Sequence, residues 1–123
     1  MPGIEKDPER EDRITMEAIV DAYGPEEQAM GWYYYLDDKI SFPFWAECIA
    51  DRATSPLCKG ARVEILGMAP ESECEHEMFV EIQWNERKLA IPLAQVEPIA
   101  EVDADTEEAI KDWHYWVNQG YEL

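Results

Sequence analysis

Carboxylates outnumber cationic side chains by eighteen in this chain: 28 of its 123 residues are Asp or Glu and ten are Lys or Arg. Any fold it adopts must keep those acids in water or pair them, because an isolated buried charge is very costly. High net charge combined with low hydrophobicity is the signature of disorder. Here, however, 46% of the residues are hydrophobic and five are Trp, so the chain has the material for a core. A compact protein this acidic carries its acids as a solubility surface, as a mimic of a polyanion, or as a site for hard cations. The sign of the charge argues against nucleic acid and against anionic lipid surfaces as partners.

A chain of this length builds one core, not two. No stretch approaches the roughly 18 consecutive apolar residues of a membrane-spanning helix. The opening segment MPGIEKDPEREDRI has no apolar stretch of the kind a secretory leader carries. Cys48, Cys58 and Cys74 are odd in number and irregular in spacing, which reads as reduced thiols in a cytoplasmic protein.

Residues 1–9, with two prolines and a glycine among charges, are expected to form a mobile arm ahead of one domain over 10–123. From Arg10 to Ala22 the apolar positions Met16, Ile19, Val20 and Tyr23 recur at helical spacing. Gly24-Pro25 then ends one helix and starts another. The second helix, PEEQAMGWYYYLDD, puts Ala29, Trp32, Tyr33 and Leu36 on one stripe, with Glu26 and Glu27 at the positive end of its dipole. The segment SFPFWAECIA, interrupted by Pro43, reads as an edge strand or an extended loop. Arg62–Gly67, Met78–Trp84 and Lys88–Leu93 are predicted strands, with a tight turn at Asn85-Glu86. A last helix over Asp103–Asn118 has Asp105 and Glu108 spaced as a capping box, and Ile110, Trp113 and Val117 as its apolar stripe. The expected class is α+β: an N-terminal helical hairpin, a small SH3-like antiparallel β-barrel and a C-terminal helix.

Four groups can carry chemistry. Asp37 and Asp38 end the second helix, where they meet the negative end of its dipole and repel each other. A divalent cation would reverse both effects, using the free carbonyls of the last turn as further hard ligands. Alternatively, Lys39 offsets the pair and both acids face water. Glu71, Glu73, Glu75 and Glu77 alternate, so in an extended loop they share one face and form either a cation site or a solvated charge run. The set Asp103, Asp105, Glu107 and Glu108 begins like an EF-hand loop. It lacks the glycine at position six and the glutamate at position twelve, and helix capping accounts for it. Cys48, Cys58, Cys74 and His76 lack the paired spacing of a structural zinc site. Cys74 and His76 have no frame to orient them as a catalytic dyad, and no phosphate loop or nucleophile motif occurs, so no enzyme is expected. The run Trp32-Tyr33-Tyr34-Tyr35 is expected to pack against Trp113, Tyr115 and Trp116 and not to stack on a ligand.

The stretches EDRITMEAIVDAYG, EEQAMGWYYYLDDKISFPF, SPLCKGARVEILGMA and EMFVEIQWNERKLAIPLAQVEP together resemble the cyanobacterial CcbP family of calcium-binding proteins. They span most of residues 11–98. The resemblance implies a small calcium binder without EF-hands, a cytoplasmic Ca2+ buffer or sensor, and makes 10–123 its single calcium-binding domain. By motif it points first to Asp38 and its neighbour Asp37 as ligands, with the glutamates at 71, 73, 75 and 77 secondary. Hard oxygen donors in loose geometry imply sites of about micromolar affinity or weaker. The alternative is an acidic protein-interaction module that docks a basic partner or mimics nucleic acid.

Overall fold

A computed structural model describes residues 6–20, 22–52, 55–99 and 101–121. Helix α1 (Pro8–Arg13) runs into a π-helical turn over Ile14–Ala18, and helix α2 (Pro25–Lys39) follows. Strands β1 (Phe44–Cys48), β2 (Arg62–Met68), β3 (Phe79–Trp84), β4 (Arg87–Pro92) and β5 (Val96–Pro98) precede helix α3 (Ala104–Asn118).

The N-terminal segment is more ordered than its composition implies. Residues 1–5 of the expected arm lie outside the described residues, but Asp7 caps α1 by accepting from the Arg10 amide, and Pro8 occupies the first turn. The Asp7 amide in turn donates to the Tyr115 hydroxyl at 2.9 Å. The helix then widens at Ile14, and the longer turn moves its buried face to Ile14 and Ala18. Met16, Val20 and Tyr23, expected inside with Ile19, are 68%, 51% and 86% exposed. A straight 3.6-residue period does not anticipate that shift.

Helix α2 starts with Pro25 in its first turn, as expected, while Gly24 is its extended N-cap and not the left-handed end of the preceding helix. Its buried stripe is Ala29, Trp32, Tyr35 and Leu36, so Tyr35 replaces Tyr33 at the core. Trp32 makes edge-on contacts with Trp113, Trp116 and Tyr35, at centroid distances of 5.0, 5.6 and 5.8 Å. The aromatic run is therefore mainly core packing, with Tyr34 left outside. Gly31 sits where the π-helical turn crosses α2: a Cβ there would overlap the Ala18 carbonyl oxygen. That contact accounts for a glycine in mid-helix, where it costs about 1 kcal/mol relative to Ala.

The sheet is antiparallel in the order β4-β3-β2-β1-β5. β1 is not an edge strand, because β2 and β5 pair with its two sides. Pro43 precedes the strand, so its missing N–H takes nothing from the ladder. Asn85 and Glu86, at φ 48° and 68°, form the two-residue turn between β3 and β4. No ladder joins β4 to β5 among the described residues, and a 3-10 turn at Leu93–Gln95 connects them. The fold is α+β with an open five-stranded sheet, and the expected barrel is not closed.

Helix α3 is capped by Asp103, which accepts from the Thr106 amide at 3.0 Å; Asp105 lies within the first turn. Deeper in α3, Asp112 is fully buried. Its carboxylate accepts from Arg10 at 2.7 Å, from Arg13 at 2.7 and 3.0 Å, and from the Tyr35 hydroxyl at 2.7 Å. Burial and that hydrogen bond push the Tyr35 hydroxyl well above its usual range, and the Asp112 hydrogen bond raises Arg13.

Replacing Gly31 by Ala should lower stability by roughly 2 kcal/mol although alanine is the better helix former, because overpacking against backbone outweighs propensity. A urea midpoint equal to or above the parent's would show that the crossing relaxes. Asp112→Asn should cost about 3 kcal/mol, since it removes the buried counter-charge of two guanidinium groups and leaves them only the longer contacts to Asp7 and Glu108. A loss under about 1 kcal/mol in the same titration, the scale of a surface pair, would mean that solvent reaches the arginines.

Candidate metal centre

Asp37 and Asp38 lie in the last turn of α2 and are exposed. Lys39 does not offset them: its ammonium pairs with Glu17 at 3.8 Å. No Lys or Arg of the described residues forms an ion pair with either aspartate. The two acids therefore face the negative end of the helix dipole uncompensated.

The loop between β2 and β3 folds back onto this end of α2. Tyr34, on the exposed face of the helix, donates its hydroxyl to Glu71 at 2.5 Å. That bond raises the Tyr34 hydroxyl above its usual range. Tyr33 is raised first by burial and then by the fields of Asp37, Cys74 and Glu71, so the helix-end aspartate and the loop glutamate both act on its hydroxyl. A tyrosine at i−3 and i−4 from the two aspartates was the available signal for this bridge, but packing alone explained the aromatic run.

The four glutamates do not share one face of an extended segment. Glu71–Glu73 form a 3-10 turn. Cys74 then points inward, its sulfur accepting from the Phe79 amide at 3.4 Å, and burial pushes its thiol up. Glu71, Glu73 and Glu75 stay exposed. Glu77 is half-buried and accepts both guanidinium nitrogens of Arg52, at 2.9 and 2.7 Å. It already has its cation, and the hydrogen bond raises Arg52 in turn.

Among the described residues no three of His, Cys, Asp and Glu are gathered tightly enough to hold a metal as they stand. Cys48 and Cys74 are buried, Cys58 is exposed, and all three are free thiols. Asp103, from the EF-hand-like start, is a helix cap held below the usual carboxylate range by hydrogen bonds from Thr106 and Ser41. The remaining donors, Asp37, Asp38, Glu71, Glu73 and Glu75, are hard carboxylate oxygens on a helix end and a loop. They fit calcium in chemistry.

Residues 12–117 match a family of calcium-binding proteins, the CcbP family. The crystal structure of Anabaena CcbP superposes with a TM-score of 0.87 at 44% sequence identity, covering 100% of each chain. A calcium-binding protein solved in its calcium-binding form superposes with a TM-score of 0.85 at 43% identity, again over 100% of both chains. No curated protein sequence matches the chain. With a family match over most of its length and two full-length structural relatives, this chain belongs to the CcbP family of calcium-binding proteins.

Proposed function

We propose that this chain binds Ca2+ reversibly where the end of α2 meets the 71–75 loop, as a cytoplasmic calcium buffer or sensor without an EF-hand. Asp37 and Asp38 supply the fixed carboxylates and Glu71 the first loop carboxylate, with Glu73 and Glu75 within the same loop. The observation that carries the reading is the pair of helix-end aspartates without a cation, while Lys39 beside them pairs with Glu17. A bound cation replaces their mutual repulsion by shared attraction and opposes the helix dipole's negative end. Closure of the loop exchanges the Tyr34–Glu71 hydrogen bond for ligation, which ties binding to a local movement. A coupling of that kind favours a sensor over a passive buffer. Family membership supports calcium as the ion.

Calcium should raise the melting temperature, because a ligand that binds only the folded state adds about 2.7 kcal/mol at one hundred times its Kd. Magnesium, which demands near-ideal octahedral geometry and dehydrates reluctantly, should do much less at equal concentration. Equal shifts from the two ions would indicate diffuse screening of the net charge and no site.

Asp38→Asn should weaken calcium binding by about tenfold or more, on the order of 1.4 kcal/mol. It should leave the calcium-free protein as stable as the parent or slightly more so, since it relieves repulsion at the helix end. Glu86→Gln, in the exposed turn between β3 and β4, is the control for bulk charge. Isothermal titration giving the same loss for both variants would place the site elsewhere.

A further inference from the structure

Beside the first turns of α3 the surface carries a groove. Two adjoining concavities, of about 420 and 330 Å3, share Glu101 and Val102. The first runs between Glu97–Ile99 and the α3 residues Glu107, Ile110, Lys111 and His114; the second lies between the 41–45 segment and the start of α3. The floor is apolar, with Ile110 buried beneath and Val102 half-buried. At the rim, Ile99 is 40% and Trp45 52% exposed, two of the six large hydrophobic side chains exposed among the described residues.

The charge along this rim is one-sided. Glu97 and Glu101 are exposed, and no Lys or Arg of the described residues pairs with either. The one ammonium in the groove, Lys111, is held by Glu107 at 2.6 Å. His114 adds no charge to offset them: burial pushes it below its usual range, and its Nε2 lies 3.2 Å from the Leu93 carbonyl. Asp103 has a structural reason to be where it is, as a helix cap; Glu97 and Glu101 serve no cap. An apolar ligand without charge would desolvate them with no compensation. An anionic surface would be repelled outright, and a second copy of this chain brings eighteen more negative charges.

We propose that this groove, with Trp45, Ile99, Val102 and Ile110 as its apolar wall and Glu97 and Glu101 on its rim, docks a basic peptide segment carrying an apolar side chain. The apolar side chain seats against Ile99 and Trp45, and lysines or arginines on either side of it meet the two glutamates. The field of the whole molecule draws such a segment in, and the groove adds the short-range selectivity that net charge alone lacks. This docking is independent of the calcium reading and is tested in chelator.

The test uses two fluorescein-labelled peptides with the same lysines, one alternating Lys with Leu and the other Lys with Ser. Fluorescence anisotropy should show the Lys–Leu peptide binding about tenfold more tightly than the Lys–Ser peptide. Ile99→Ser should remove most of that preference, and Glu101→Lys should weaken both peptides by about tenfold. Glu27→Gln, in the first turn of α2, should change neither. Both groove positions are at the surface, so circular dichroism and melting temperature should match the parent. Trp45 emission should shift on adding the Lys–Leu peptide, because the other tryptophans are less exposed. Equal affinity for the two peptides, or unchanged binding by Ile99→Ser and Glu101→Lys, would overturn the proposal in favour of diffuse attraction. Concentration-dependent dimerisation that blocks peptide binding would overturn it in favour of a second copy.

Discussion

The buried carboxylate of Asp112 is the interaction on which the arrangement of the helices depends. Arg10 and Arg13 reach it from α1, Tyr35 from α2, and it belongs to α3. Three segments far apart in sequence are thereby fixed around one group. In a chain with only ten cationic side chains, two are committed to this one acid. A buried ion pair is weak evidence for net stability, because desolvation offsets much of the attraction. Its effect here is on specificity: a rotation of α1 about its axis would strand a charge, and one of α2 would strand the Tyr35 hydroxyl. The tryptophan cluster of Trp32, Trp113 and Trp116 fills the space beside it but is less selective, since aromatic packing tolerates more geometries.

The other cations determine where the acidic field stays uncompensated. Arg52 holds Glu77, Arg62 lies 3.7 Å from Glu47, Lys39 turns to Glu17 and Lys111 to Glu107. Exposed pairs of this kind contribute about 1 kcal/mol or less each to stability. Their larger consequence is to remove cations from two places: the C-terminal end of α2, and the rim of the groove beside β5. Lack of a cationic partner is shared by other exposed acids such as Glu27 and Glu86. What singles out Asp37 and Asp38 is that they are also adjacent and sit at the negative end of a helix dipole.

Much of this was legible in the sequence where one local rule dominates. The stripe Ala29, Trp32 and Leu36 has helical spacing, Pro25 marks a first turn, and β2 alternates as a half-buried strand does over most of its length. Asp37 and Asp38 stood out because they contradict the dipole of their own helix. What failed depends on distant partners. The π-helical turn over 14–18 re-aims a face that a fixed period assigns to Met16 and Val20. β1 looked like an edge because of Pro43, which in fact lies one residue outside the ladder. The cap expected at Asp105 falls instead to Asp103, which Thr106 and Ser41 hold in place. Glu77 could not be told from Glu75 without Arg52, which is 25 residues away. Asp112 left one signal that went unused: an acid inside the apolar stripe formed by Ala109, Ile110, Trp113 and Trp116.

The same long-range hydrogen bonds bear on the two halves of the proposed calcium site. Immediately after α2, Ile40 is buried, the Ser41 amide donates to the Thr106 hydroxyl at 2.8 Å, and the Ser41 hydroxyl donates to Asp103 at 2.9 Å. The end of α2 is thus tied to the start of α3, and α3 is tied through Asp112 to α1. Asp37 and Asp38 cannot relieve their repulsion by unwinding the last turn without breaking those contacts. The 71–75 loop is held more lightly, by the inward Cys74 and by Tyr34 at the surface. In the proposed site, a fixed pair of carboxylates opposite a more lightly held one would let the helix set the position of the ion and the loop adapt its coordination number. Calcium tolerates such variable geometry and magnesium does not, so at the proposed site the constraint that fixes the helices would also favour calcium over magnesium.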